Sequence, residues 1–263
     1  FADGDDASYV FRQPVGAQAT HRARMALVAC PVAAIGTETR HAITGARGAF
    51  PEPLEAGAAQ NGAREGVYYC GWASAASYGA RSYLVVRPRG NILVDSPRYA
   101  GPLAERIAAL GGVRWMFLTH RDDVADHARF RARFGCERIL HRADVDAGTH
   151  EVEIKLDGVA PIALDPEVSF VPVPGHTRGS TCLLYRGRFL FSGDHAWWDP
   201  EHARVHASRA VCWHDWGEQT ASMARLAAYR FEWLLPGHGA RCRLPADDMA
   251  RQIARCAERM RRR

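Results

Sequence analysis

Five histidine and aspartate residues stand directly after short apolar runs of the chain. Each run is predicted to be a strand, and the residues at the strand ends are Asp95, His120, His176, Asp194 and His238. In α/β folds, ligands bind beyond the ends of strands, where the following loops converge. Imidazole nitrogens and carboxylate oxygens are the ligands that borderline divalent metals take. Because the five segments occur together, they predict a metal site with enough donors for two ions.

The segment that begins at His120 contains further acidic and imidazole side chains. It reads HRDDVADH, and its candidate ligands are His120, Asp122, Asp123, Asp126 and His127. A helix is predicted over residues 123–135, because acidic residues are favoured in a first turn and Gly135 is typical of a helix end. Asp122 and Asp123 have two interpretations: one of them binds a metal, or both cap this helix.

Strands and helices alternate in the part of the chain that must position these residues. Strands are predicted over 82–88, 91–97, 113–120, 138–141, in four runs within 152–194, and over 231–239; helices are predicted over 102–112, 123–135, 216–230 and 245–260. Mixed strands with helices outside them predict an α/β fold, an αββα sandwich of two sheets between helical layers.

The first quarter of the chain has a different pattern. Residues 1–46 contain one amphipathic helix candidate, over 18–29. Residues 47–66 are rich in Gly, Ala and Pro and lack periodicity, which is typical of a linker. The predicted organisation is therefore an N-terminal segment over 1–46, a linker over 47–66 and a layered domain over 67–263.

Composition excludes several classes of protein. The 263 residues are 47% hydrophobic and 24% charged, which is ordinary for a globular domain. The net charge of +5 comes from scattered arginines without interleaved aromatics, so no nucleic-acid partner is expected. No apolar run approaches the roughly 20 residues of a membrane span, and no membrane partner is expected.

The cysteines and the N-terminus bear on the compartment. Seven cysteines are present, no two of them form a C-x-x-C pair, and the first residues lack the pattern of a signal peptide. An odd cysteine count without such pairs is typical of a reducing compartment, so a cytoplasmic location is expected. The chain begins with Phe1, and we expect it to be a trimmed form of a longer protein.

The order of the site motifs resembles the metallo-β-lactamase superfamily, which includes glyoxalase II, lactonases and flavodiiron proteins. The resemblance covers residues 67 to 260, where the family pattern T-H-x-H-x-D-H, G-H-T, G-D and G-H finds counterparts in sequence order. It implies that one metal binds His120, a second ligand of the first motif and His176. It implies that the other metal binds Asp126, His127 and His238, that Asp194 bridges the two, and that Asp95 supports the loops.

The first motif departs from the family pattern. It is two residues longer, and Asp122 stands where the second histidine is expected when counting from His120. A carboxylate in place of an imidazole makes a site harder and shifts its preference from zinc toward iron or manganese. Flavodiiron proteins are similar, since they carry an acidic residue there. Zinc is the expected metal, with iron or manganese as alternatives.

The resemblance implies a metal-dependent hydrolase with a small-molecule substrate. A metal-bound hydroxide would attack an ester, thioester, lactone or related bond, with Asp126 as the catalytic residue that orients it or accepts its proton. Two alternatives remain open. One is an iron-dependent oxidoreductase coupled to a ferredoxin domain, and the other is a non-catalytic binding protein with a broken metal site.

The N-terminal segment resembles the end of a small bacterial-type ferredoxin. In ALVACPVAAIG, residues 26–36, Cys30 is followed by Pro31, as is the last cysteine of a four-iron cluster. The upstream C-x-x-C-x-x-C triplet is absent. The segment is therefore interpreted as a truncated ferredoxin-like appendage that binds no iron-sulfur cluster in this chain. A redox partner is expected only if the ferredoxin part is intact in a longer protein.

Overall fold

The structure is a computed structural model, and it describes residues 2–3, 8–10, 12–37, 43–55 and 65–262. The helices are α1 (Ala17–Ala29), α2 (Thr44–Arg47), α3 (Gly101–Ala109), α4 (His127–Phe134), α5 (Trp216–Leu226) and α6 (Ala246–Arg261). The strands are β1 (Ala2–Asp3), β2 (Ser8–Tyr9), β3 (Glu52–Pro53), β4 (Gly66–Tyr69), β5 (Tyr83–Val86), β6 (Ile92–Val94), β7 (Trp115–Phe117), β8 (Glu137–His141), β9 (Ile154–Leu156), β10 (Ile162–Asp165), β11 (Val168–Pro172), β12 (Thr181–Tyr185), β13 (Phe189–Gly193), β14 (Trp197–Asp199), β15 (Arg204–His206), β16 (Trp233–Pro236) and β17 (Cys242–Arg243).

The first large sheet contains seven strands in the order β3-β4-β5-β6-β7-β8-β9. The strands from β3 to β6 are antiparallel, and those from β6 to β9 are parallel. Parallel neighbours need a crossover, and α3 and α4 supply the crossovers on either side of β7. This arrangement brings the ends of β6 and β7 together at one edge of the sheet.

The second large sheet contains six strands in the order β10-β11-β12-β13-β16-β17. Strands β10 to β13 form an antiparallel meander. The chain then passes through α5 and returns as β16, which pairs in parallel with β13. The last residues of β13 and β16 therefore lie side by side, Gly193 opposite Pro236.

Apolar side chains fill the space between the two sheets. The rings of Phe117 and Phe170 lie 4.8 Å apart between centroids, and those of Tyr83 and Phe191 lie 5.5 Å apart. A second apolar layer packs α1, α3 and α4 on the first sheet, and a third packs α5 and α6 on the second. The predicted αββα sandwich is therefore confirmed.

The N-terminal part packs on the same core. The buried side chains Met25 and Val28 of α1 belong to the apolar layer over the first sheet. The linker interpretation does not hold for residues 47–55, because Phe50 is fully buried and β3 pairs with β4. Residues 56–64 of that interpretation lie outside the described residues.

Two features of the elements differ from expectation. Helix α4 begins at His127, and the preceding residues form turns, so the predicted helix start at residue 123 is wrong. The small hairpin of β14 and β15 was not predicted. Within the described part of the chain, no helix combines the length and the apolar character needed to cross a bilayer.

Candidate metal centre

Residues that follow strands of both sheets meet at one edge of the sandwich. His120 lies just beyond β7, His176 beyond β11, Asp194 directly after β13 and His238 just beyond β16. Backbone bonds hold the segments together: Thr181 N donates to the Thr119 carbonyl at 2.9 Å, and Gly237 N donates to the Gly193 carbonyl at 3.0 Å. The convergence expected from the strand ends is present.

Asp194 lies between the two histidines of the first group. Its Oδ2 is 3.9 Å from His120 Nε2 and 3.9 Å from His176 Nε2. Asp122 Oδ2 is 3.6 Å from His176 Nε2. These distances leave a gap that the side chains surround without bonding to one another, as metal ligands do.

Asp123 belongs to the same cluster. Its Oδ1 is 3.8 Å from His120 Nε2 and 3.6 Å from His238 Nδ1. His238 Nδ1 also lies 2.9 Å from Asp194 Oδ2. Two overlapping groups of donor atoms, each within 4.8 Å of one another, result: His120, Asp122 and His176, and His120, Asp123 and Asp194.

Six buried donor atoms of this cluster lack hydrogen-bond partners. They are His120 Nε2, Asp122 Oδ2, both carboxylate oxygens of Asp123, and both ring nitrogens of His176. A buried polar atom without a partner costs free energy, and native structures contain few of them. Their convergence from separate loops fits a bound cation, so the donor set fits one or two divalent metals.

The pKa shifts of the cluster residues also fit a bound cation. Burial raises the pKa of Asp123 well above its ordinary value, and the nearby Asp194 carboxylate adds to the effect. Burial lowers the pKa of His120 to about 4, although Asp194 opposes that shift. Neutral imidazole is the form that binds metals, and a cation would relieve the repulsion among the carboxylates.

Asp95 supports the first ligand loop, as the resemblance implied. Its carboxylate accepts hydrogen bonds from Thr119 N at 2.8 Å and from Thr119 Oγ1 at 3.0 Å. Thr119 Oγ1 in turn lies 3.0 Å from His120 Nδ1. Partners of this kind fix the ring orientation and leave Nε2 facing the cluster.

The turn that carries His238 is fixed by a loop from the first sheet. His238 Nε2 donates to the Tyr78 carbonyl at 3.1 Å, so Nδ1 is the ring nitrogen that faces Asp194. Arg81 N donates to the Gly237 carbonyl at 2.8 Å. A Cβ atom at Gly237 would overlap the Asp123 carboxylate, so only glycine leaves room for this approach.

Asp126 and His127 do not reach the cluster, which corrects their predicted role as metal ligands. The Asp126 carboxylate accepts a hydrogen bond from Tyr99 N at 2.7 Å. His127 Nδ1 lies 3.2 Å from the Arg138 guanidinium, a cation that would repel a metal ion. Burial and Arg138 together lower the pKa of His127. Asp126, the predicted catalytic residue, is likewise outside both donor groups.

A cavity away from the cluster does not locate the site. It measures about 1120 Å³, and Arg87, Arg186 and Arg188 line it. Each of these arginines is paired with carboxylates, as Arg188 is with Glu55 at 2.6 Å. The orphaned donors of the metal cluster are the better guide to the reactive part of the molecule, because the cavity presents charges that are already neutralised.

The ferredoxin-like segment contacts the loop next to His238. The Pro31 ring lies against Gly79, where a Cβ atom would be 3.2 Å from it. Backbone N–H groups of residues 32–35 lower the pKa of the Cys30 thiol, although burial opposes them. Residues 1–37 contain a single cysteine, and one thiolate cannot hold a four-iron cluster, so this chain's residues do not fit that cofactor.

Two sequence comparisons find matches to this chain. Residues 1–37 match the family described as the 4Fe-4S single cluster domain of Ferredoxin I, which confirms the resemblance of this segment. A hydroxyacylglutathione hydrolase from Anaeromyxobacter dehalogenans (strain 2CP-C) is 34% identical over 128 residues, which are 46% of this chain and 48% of the relative. The chain thus matches about half the length of that curated relative.

Solved structures share the architecture at low sequence identity. An archaeal metallo-β-lactamase superfamily protein from Sulfolobus tokodaii has a TM-score of 0.53 and 14% identity, over 74% of this chain and 86% of that chain. The FIM-1 metallo-β-lactamase from Pseudomonas aeruginosa, in its mono-zinc form, has a TM-score of 0.50 and 18% identity, over 68% and 84%. These likenesses show that the layered domain has the metallo-β-lactamase fold.

Proposed function

We propose that this chain, a metallo-β-lactamase fold with that superfamily's sequence motifs, is a metal-dependent hydrolase. One observation carries the proposal: buried imidazole and carboxylate atoms of two separate segments, residues 120–123 and His176, converge beside Asp194 without hydrogen-bond partners of their own. The hydrolase half of the proposal is supported by the sequence relative, whose name describes cleavage of a hydroxyacylglutathione thioester.

The residues divide into two ligand groups. His120, Asp122 and His176 would hold one cation, and Asp123 and His238 would hold the other, with Asp194 between them. One or two divalent cations there would supply Lewis-acid activation of water and of the substrate carbonyl. The role of the protein is to fix the donors, to keep His120 neutral through burial and to exclude bulk water.

Exposure indicates the side from which a substrate approaches. The side chains of His120, His176 and Asp123 are almost completely buried, so they form the floor of the site. The Asp122 and His238 side chains are 27% and 34% exposed. A substrate therefore enters between Asp122 and His238 and meets the buried donors beneath them.

The substrate proposed is a small ester or thioester. Hydrolysis of a hydroxyacylglutathione is the first reaction to assay, because that is the activity named for the sequence relative. Lactones and simple esters present the same carbonyl to the same donors, so they belong in the same screen.

Metal content tests the proposal first. Elemental analysis of protein purified without added metal should give one to two equivalents of a divalent metal, and His120→Ala and Asp122→Ala should lower that number. Loading the protein with the metal found should then produce hydrolysis of at least one ester, thioester or lactone. Metal-free protein that also fails to take up zinc, iron or manganese would overturn the proposal.

An iron-dependent oxidoreductase is the second candidate, and the carboxylates favour it. Asp122 and Asp123 make the donor set richer in oxygen than an all-imidazole site, which favours harder metals. Iron in the purified protein, lost in Asp122→Ala, together with inactivity toward every ester and thioester, would favour this candidate over the hydrolase.

A further inference from the structure

Asp144 is a buried carboxylate that lies between two of the ligand loops. It is 1% exposed and stands in the short helical turn after β8, outside every segment that contributes a ligand. Neither the spacing of the motifs nor the likeness to known proteins assigns it a role.

The carboxylate accepts hydrogen bonds from both loops. Its Oδ2 accepts from Arg121 N at 3.1 Å and from Thr177 Oγ1 at 2.5 Å. Its Oδ1 accepts from Gly179 N at 2.7 Å. Arg121 lies between His120 and Asp122, and Thr177 directly follows His176, so one side chain links all three donors of the first group.

The turn after His176 is built around this carboxylate. A Cβ atom at Gly179 would lie 2.7 Å from Asp144 Cγ, so a larger residue would push the turn away. Ser180 closes the other side, since its Oγ accepts from Thr177 N at 3.0 Å and lies 2.7 Å from Thr177 Oγ1. Asp144 and Ser180 therefore both hold Thr177, the residue that directly follows His176.

We propose that Asp144 is a positioning residue that sets the spacing of His120, Asp122 and His176 for metal binding; this rests on the proposed function. The three bonds end on one buried carboxylate, and carboxylate acceptors form short, strong hydrogen bonds. All three span at least 23 residues of sequence; two come from residues adjacent to a ligand, Arg121 and Thr177, and the third comes from Gly179 in the same turn as Thr177. Outer partners of this kind hold ligands in the geometry that a metal requires.

Asp144→Asn tests the proposal, with Asp146→Asn as its matched control. Asp146 also accepts several hydrogen bonds, but they come from Gly148 and Thr149 in its own turn. Zinc affinity is measured by competition with a chromophoric chelator, and the cobalt-substituted proteins are compared by their visible absorption. Asp144→Asn should bind zinc about 10- to 100-fold more weakly and shift the cobalt bands. Asp146→Asn should match the parent in both.

A milder variant keeps the test decisive if Asp144→Asn does not fold. Thr177→Val removes one of the three donors and should weaken zinc binding several-fold, whereas Thr177→Ser should restore it. Variants that lose only the stability of the metal-free protein, with parental zinc affinity and cobalt bands, would overturn the proposal. A parent protein that binds neither metal would instead overturn the proposed function, and the positioning role with it.

Discussion

Asp123 and Asp126 are three residues apart, yet they have opposite surroundings. Asp123 is fully buried with both carboxylate oxygens unpartnered beside His120 and His238. The Asp126 carboxylate is satisfied by Tyr99 N. The chemistry of the site therefore depends on which of two similar side chains the turn at residues 121–126 directs inward.

Substituting the two aspartates separates these roles. Asp123→Asn should lower metal affinity at least tenfold, because it removes a charged donor from the cluster. Asp126→Asn should leave metal affinity unchanged and lower the free energy of unfolding by about 1 kcal/mol, the usual worth of one hydrogen bond. Isothermal titration with zinc and urea denaturation measure the two effects. Loss of affinity in Asp126→Asn alone would restore the family assignment.

At the residue scale, the sequence predicts which ligands converge but not how the first motif turns. His120, His176, Asp194 and His238 each follow an apolar strand, and strand ends share an edge. The turn before α4 depends instead on distant partners, since Ala125 N donates to Ser96 Oγ at 2.7 Å. Nothing in the local sequence of 121–126 indicates that bond, which is why the resemblance assigns the ligand role to Asp126 and leaves Asp123 open.

The role of Asp144 is even harder to predict from the local sequence. Its partners are 23 to 35 residues away in sequence. No motif marks it in the segment HRADVD, and a polar residue after a strand is ordinary. Only the tertiary fold brings β8 beneath both ligand loops.

At the scale of elements, the alternation of strands and helices is sufficient to predict the layers. The apolar runs before each motif become buried strands, and the spacing in α3 and α6 gives each helix one buried face. The hairpin of β14 and β15 escapes prediction because its strands are three residues long and, unlike the equally short β6 and β7, contain charged or imidazole side chains. Such short segments contain too little alternation to be distinguished from a loop.

Glu153 ties three elements together through ion pairs. Its carboxylate accepts from Arg138 N at 2.8 Å and Arg138 Nε at 3.0 Å, and from Arg131 Nε at 2.9 Å. Burial alone would raise the pKa of Glu153, but these donors outweigh it and hold the pKa at about 2. The residue thereby joins α4, β8 and the segment before β9.

The lowered pKa of Glu153 predicts how the free energy of unfolding depends on pH. A carboxylate whose pKa is lowered by folding contributes its full stabilisation at pH values above its pKa in the unfolded chain, near 4.5. This contribution is lost as the pH falls toward the pKa in the folded chain, about 2. The parent should therefore exceed Glu153→Gln in unfolding free energy by about 1 kcal/mol at pH 6, since the site is partly screened by solvent. By pH 2.5 most of that difference should be gone. Urea denaturation at both values checks it, and the exposed Glu151→Gln should show no difference at either pH.

At the scale of the whole molecule, the N-terminal segment and the layered domain share one apolar core. Met25 of α1 belongs to the same buried cluster as Leu103 and Phe130. Met25→Ala should therefore lower the stability of the entire protein by about 2–3 kcal/mol, the cost of a cavity at a buried methionine. Differential scanning calorimetry should show one transition that moves to lower temperature.

The control for this prediction lies just before the same helix. Val15 is 88% exposed, so Val15→Ala should leave the transition where it is. If Met25→Ala instead released a small separate transition and left the main one unmoved, the segment would be an independent unit that merely rests on the domain.

Because β16 pairs with β13 but comes much later in the sequence, the two ligand groups are completed at different times during translation. His238 is synthesised 118 residues after His120, which at about 5–20 residues per second is roughly 6 to 24 s later. His120, Asp122 and His176 all emerge before the strand that carries His238. During translation the first ligand group is therefore present as a partial metal chelate before β16, the parallel neighbour of β13, has been synthesised. The second group is completed only after β16 has been synthesised.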